Sequence, residues 1–97
     1  MSGPVAVRTT PQYERLARGL ARAHAEFVTR QEEAIEILHT DPYNRFREHN
    51  ILKLRGVRQG YGQYRLRLHR FRFRNDIYHR DVVLQACSLR REDTYRR

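Results

Sequence analysis

The chain has 97 residues, with 20 Lys+Arg against 11 Asp+Glu and a formal net charge of +9. That length supports one small core without staples, and 39% hydrophobic with 32% charged residues fits a folded domain rather than a disordered chain. No run approaches the ~18 apolar residues of a membrane span, and a lone cysteine, Cys87, excludes an intramolecular disulfide and a thiolate metal cage.

The start, Met1-Ser2-Gly3-Pro4-Val5, has neither the charged opening nor the apolar stretch of a secretory leader, so a cytoplasmic protein is expected. Val5-Ala6-Val7-Arg8-Thr9 reads as a short first strand. Thr10-Pro11 is a helix start, with Thr10 as N-cap and Pro11 at the first helical position. Tyr13, Leu16, Ala17 and Leu20 then form one apolar stripe. After a break near Ala23–Ala25, Phe27, Gln31, Ala34, Ile35 and Leu38 share the face of a second helix. Glu32, Glu33 and Glu36 lie on its solvent side, and Asp41-Pro42 ends it. The pair is expected to form an antiparallel helix hairpin. Residues Tyr43–Gly60 are polar, and only Ile51-Leu52-Lys53-Leu54 is expected to touch a core. From Tyr61 the period becomes 2: Tyr64, Leu66 and Leu68 alternate with Arg65, Arg67 and His69, and Phe71, Phe73, Asn75 and Ile77 with Arg70, Arg72, Arg74 and Asp76. Val82–Ser88 is a nearly continuous apolar run that suits a strand covered on both faces. No repeat or Ser/Gly linker divides the chain, so residues 1–97 read as a single domain.

The charge is unevenly distributed. Residues 1–50 carry 7 basic and 7 acidic side chains, whereas residues 51–97 carry 13 basic and 4 acidic. Lys53 is the one lysine; the other 19 basic residues are arginine. A coding bias toward arginine would explain that ratio, but not why acids thin out only in the second half. With a sequence pI near 10.8, an anionic partner is expected, nucleic acid first.

Strand register focuses the surplus. A two-residue turn at His69-Arg70 sets Leu68 opposite Phe71 and Leu66 opposite Phe73, one apolar side. It also sets Arg67 opposite Arg72 and Arg65 opposite Arg74, and like charges directly opposed destabilise a hairpin unless an anion belongs there. A second turn at His79-Arg80 pairs Ile77 with Val82, extends the apolar side through Leu84 and Ala86, and brings Arg72 near Cys87. Arg90-Arg91 then emerge beside the same surface. Arginine suits phosphate because its planar fork donates two hydrogen bonds and stacks on bases. Tyr61-Gly62 reads as turn chemistry, with Tyr61 available to stack on a base. His24, His39 and His49 show no metal-ligand spacing, and no cofactor or metal is expected.

Taken in order, Ile37-Leu38-His39-Thr40-Asp41-Pro42, Lys53-Leu54-Arg55-Gly56, Tyr64-Arg65-Leu66-Arg67-Leu68, Phe71-Arg72-Phe73-Arg74 and Ser88-Leu89-Arg90-Arg91-Glu92-Asp93-Thr94-Tyr95 resemble the RelE/ParE family of toxins from bacterial type II toxin–antitoxin systems. The resemblance runs from about Val5 to Tyr95. It implies an α+β fold, a helix hairpin packed on a small, mainly antiparallel sheet similar to microbial ribonucleases. For the RelE branch it implies an mRNA interferase that enters the ribosomal A site and cuts the messenger without a metal. In that chemistry the ribose 2′-hydroxyl attacks the adjacent phosphate and expels the 5′-oxygen, which asks for a base, cations on the phosphorane and an acid.

The implied catalytic positions are Arg65, Arg67, Arg72, Arg90 and Tyr95, the last offset by one residue from the family's tyrosine. Lys53, Arg55, His69, Arg74 and Arg91 are the accompanying RNA-binding candidates. The implied partners are mRNA, the ribosome and a small acidic antitoxin, with no membrane. Two departures bear on mechanism. RelE-like enzymes commonly carry lysines where this chain has Arg65 and Arg67, and arginine does not act as a base. The C-terminal histidine of the YoeB- and HigB-like branches has no counterpart, since no histidine follows His79. A ParE-like gyrase poison and a non-catalytic protein that binds RNA or an antitoxin are the alternative expectations.

Overall fold

The computed structural model describes residues 5–90. In chain order its elements are β1 (Ala6–Thr9), α1 (Pro11–Ala23), α2 (Phe27–Thr40), β2 (Ile51–Lys53), β3 (Tyr64–Leu68), β4 (Phe71–Tyr78) and β5 (Asp81–Leu89). The two helices pack on a five-stranded mixed sheet of order β1-β5-β4-β3-β2, an α+β fold. β1 runs parallel to β5, and the other neighbouring pairs are antiparallel.

Local chemistry sets the helix boundaries. Thr10 Oγ1 accepts the Tyr13 N–H at 3.0 Å, satisfying one orphan donor of α1, and Pro11 fills the position where a missing N–H costs nothing. α2 stops because Asp41 leaves the helix and turns its carboxylate onto the next loop, accepting the N–H groups of Arg45 at 2.8 Å and Phe46 at 3.3 Å. Tyr13 ties the helices together by donating its hydroxyl to Gln31 Oε1 at 2.6 Å.

The core lies between the helices and one sheet face. Tyr13 and Ala17 of α1 and Phe27, Ala34 and Leu38 of α2 meet Leu66, Phe71, Phe73, Ile77, Val82, Leu84 and Cys87. Phe27 is its hub, edge-on to Phe71 at 5.3 Å between centroids and stacked on Phe73 at 5.9 Å. Truncating such a residue costs ~3–5 kcal/mol, because the site relaxes only in part around the cavity left behind. Burial pushes the Cys87 thiol up to about 12 although the Tyr13 hydroxyl bonds to it, and burial raises the Tyr13 hydroxyl as well.

The β3–β4 hairpin has the expected register, Leu68 opposite Phe71 through Arg65 opposite Arg74. His69 and His79 open the two-residue turns at φ 55° and 52°, a left-handed backbone that a non-glycine residue adopts at a cost.

The rest of the sheet departs from expectation in three ways. Ile51–Lys53 forms an edge strand on β3 that was not expected, although Ile51 packs against the core as expected; three residues are too few for alternation to announce a strand. The β4–β5 pairing shifts by one residue between Arg74 and Asn75, so Arg74 faces Ala86, Phe73 faces Cys87 and Arg72 faces Ser88. This is a β-bulge at Gln85. It leaves Cys87 in the core opposite Phe73, as expected of a core thiol, and puts Ala86 on the arginine side, correcting the expected pairing of Arg72 with Cys87 and the expected placement of Ala86. β5 is accordingly not covered on both faces: Ser88 is exposed. A nearly continuous apolar run carries too little alternation to fix register, so the bulge is not announced by it.

Candidate nucleic-acid interface

Alternation along the strands sends Arg65, Arg67, Arg72 and Arg74 to the sheet face opposite the helices. All four are half-buried. The bulge gives this face its shape: Ala86 and Ser88 stand beside Arg74 and Arg72, so one flank of the arginine cluster is lined by small side chains. Elsewhere in the molecule, ion pairs join Arg8 to Asp81 at 3.5 Å, Arg30 to Glu33 at 2.7 Å and Arg70 to Glu26 at 3.0 Å. Arg72 Nε is buried with no hydrogen-bond partner among the described residues. Opposed like charges cost ~0.2–1 kcal/mol per pair, and a buried donor without a partner costs ~1–3 kcal/mol. The Arg67–Arg72 pair is therefore held against its own electrostatics, an arrangement that a bound phosphate would relieve.

Arg74 serves a different purpose. Its Nε donates to the Gly62 carbonyl at 2.8 Å and its Nη2 to the Tyr61 carbonyl at 3.0 Å, pinning the β2–β3 loop onto the sheet. The contact is close enough that a Cβ at Gly62 would sit 2.8 Å from Arg74 Cβ, and Gly62 also needs its φ of 85°. Asp76 holds the loop from below. Fully buried, its Oδ2 accepts the N–H groups of Gly60 at 2.9 Å and Gly62 at 3.0 Å and the Gln85 amide at 2.9 Å. Its Oδ1 accepts the Gln63 N–H at 2.9 Å. This carboxylate is occupied by the loop, and it is the component that sequence reasoning missed. The available signal was one acid in the otherwise arginine-rich outward register of β4, with a Gly-Tyr-Gly segment upstream.

The remaining candidates scatter. The Arg90 N–H donates to the Arg70 carbonyl at 2.5 Å, extending the β4–β5 ladder, and alternation from Ser88 carries Arg90 to the arginine face. His69 is exposed at the hairpin end of that face, and Arg55 is exposed in the β2–β3 loop. Lys53 is not brought to the cluster. It pairs across from Tyr64, on the helix side of the sheet, with its ammonium 5.8 Å from the Tyr64 ring centroid. Tyr95 and Arg91 lie outside the described residues. Among the described residues no group of three or more His, Cys, Asp or Glu side chains is placed to hold a metal ion, and no helix is long and apolar enough to cross a membrane.

This surface can grip a phosphodiester through guanidinium forks and screen the charge of a pentavalent phosphorane. Guanidinium groups do not abstract protons at ordinary pH, so Arg65, Arg67 and Arg72 are suited to hold a phosphate and not to act as bases. Comparison with protein families, characterised proteins and solved structures finds no match to this chain.

Proposed function

We propose that the chain is a cytoplasmic toxin of a bacterial toxin–antitoxin pair that arrests translation by cutting mRNA on the ribosome. The observation that carries this reading is the directly opposed Arg67–Arg72 pair on the sheet face opposite the helices, next to small side chains. The α+β architecture, with a helix pair backing that face, agrees with the fold the RelE/ParE resemblance implies.

In the proposed reaction the 2′-oxygen gives up its proton and bonds to the adjacent phosphorus. The phosphorane's added charge is shared by Arg67 and Arg72, with Arg65 and Arg90 at the margins. The P–O5′ bond then breaks and the 5′-oxygen takes up a proton, leaving a 2′,3′-cyclic phosphate and a 5′-hydroxyl. Proton transfer belongs to side chains other than the arginines. His69 at the hairpin end and Tyr95 are assigned to it, since imidazole is the side chain suited to exchange near neutral pH. The partner in the resting cell is a small acidic antitoxin, whose charge neutralises the arginine face.

Induction of the chain followed by primer extension on cellular mRNA tests the reading. New 5′ ends that disappear with Arg72→Ser support cleavage; arrested growth without new ends overturns it. A non-catalytic antitoxin- or RNA-binding role is favoured by one specific feature, arginine at positions 65 and 67 in place of a potential base. It predicts RNA binding without new ends and without arrest.

A further inference from the structure

Beyond the arginine face lies an aromatic group for which the cleavage chemistry has no use. Tyr61 is 67% exposed, yet the backbone that carries it is tied down by hydrogen bonds on both sides. Its carbonyl and that of Gly62 are bound by Arg74, and the N–H groups of Gly60 and Gly62 on either side are bound by Asp76. Its own N–H closes a turn onto the Arg58 carbonyl at 3.1 Å. Gln59 Nε2 adds a bond to the Ile77 carbonyl at 2.9 Å, and Gln63 Nε2 one to the Val57 carbonyl at 2.9 Å. Loops ordinarily hide aromatic rings or let them move. Here two glycines with positive φ, a buried carboxylate and an arginine hold a ring out in solvent.

We propose that Tyr61 is a stacking platform for an unpaired RNA base next to the phosphate held by Arg67 and Arg72. The inference rests on the reading that this face binds RNA. Its location follows from the loop anchor: Arg74, which holds the Tyr61 carbonyl, is two residues along β4 from Arg72, ~7 Å at a strand's rise. That puts the anchor of the loop, as distinct from the ring it carries, about one nucleotide step from Arg72. A basic surface flanked by an aromatic ring is the arrangement by which single strands are held, with charge following the backbone and the ring taking a base of any identity. Arg74 and Asp76 are positioning residues here. They act through the loop and not on the RNA, which accounts for the commitment of Arg74 to backbone carbonyls.

The test is fluorescence binding of a short single-stranded RNA containing 2-aminopurine, titrated at several salt concentrations. Tyr61→Ala is expected to weaken binding about five- to hundred-fold, the equivalent of ~1–3 kcal/mol for one stacked base, and to abolish the 2-aminopurine quench. Its salt slope stays that of the wild type, because no phosphate contact is removed, whereas Arg72→Ser lowers the slope by ~0.7. Tyr61→Phe retains both affinity and quench, and Asp76→Ala, which releases the loop, loses the quench with the ring still present. If Arg72→Ser weakens binding while Tyr61→Ala binds and quenches as the wild type does, the platform is wrong and the RNA-binding face stands. If neither substitution changes affinity, the RNA-binding reading itself fails.

Discussion

Replacing Asp76 by alanine tests how the interface is held together, and its cost is worked from four contacts. The carboxylate accepts three backbone N–H groups and the Gln85 amide, all at 2.9–3.0 Å. Gly60 is exposed, so its N–H recruits water at little cost; Gly62 is buried, and Gln63 and Gln85 are half-buried. An orphaned buried donor costs ~1–3 kcal/mol. One full and two partial penalties, less the relief of no longer burying a charge, predict a loss of about 3–4 kcal/mol. Asp76→Asn behaves differently. The amide oxygen takes the three-donor side and the NH2 group meets the Gln63 N–H, losing that one bond, at a cost of about 1.5–3 kcal/mol. Urea unfolding followed by circular dichroism reads both values as lower midpoints at unchanged slope. Amide exchange should show the Gly62 and Gln63 protons released in Asp76→Ala while the helices stay protected. A loss below ~1 kcal/mol with Gly62 still protected would refute the reasoning, because the loop would then be held by something other than this carboxylate.

Three further outcomes follow from the same geometry. Arg67→Thr should raise stability by ~0.2–1 kcal/mol by removing one of two opposed charges, and added salt should stabilise the wild type more than the variant; unfolding midpoints at low and high salt check this. Asn75 is fully buried on β4 with neither amide atom hydrogen-bonded among the described residues, so Asn75→Val should gain about 1 kcal/mol by urea unfolding. Cys87 and Tyr13 keep their protons in the folded state beyond their ordinary values of 9.0 and 10.0. Stability is therefore full below about pH 9 and falls above it, by ~1.4 kcal/mol per pH unit for each group once its unfolded pKa is passed. Cys87→Ala should remove the earlier part of that decline in urea midpoints measured from pH 8 to 11.

Much of the fold was legible because local rules and the global structure agree. Thr10-Pro11 is a cap in the sequence and in space, and the two-residue turn at His69-Arg70 is enough to pair Arg67 with Arg72. Legibility ended where a residue's partner is distant and polar. Nothing near Asp76 in sequence announces that three N–H groups some 13–16 residues away converge on it. Arg74 read as a fourth phosphate ligand because alternation fixes its face but not its hydrogen-bond partners. Lys53 was grouped with the arginines because the short strand that turns it to the helix side has too little pattern to be seen. The bulge at Gln85 lay hidden in an apolar run, and with it the small-residue flank beside Arg72. The charge cluster was thus readable in outline, whereas the commitment of Arg74 to bracing a loop required the structure.

The central claim is that the Arg67–Arg72 pair stabilises attack by a 2′-hydroxyl on its neighbouring phosphate. The most direct measurement is the chemistry of the ends produced when the chain acts on messenger bound to purified ribosomes. Fragments ending in 2′,3′-cyclic phosphate and beginning with 5′-hydroxyl, lost in Arg72→Ser, are the predicted result. Fragments with 3′-hydroxyl and 5′-phosphate ends, or intact messenger on arrested ribosomes, would contradict it.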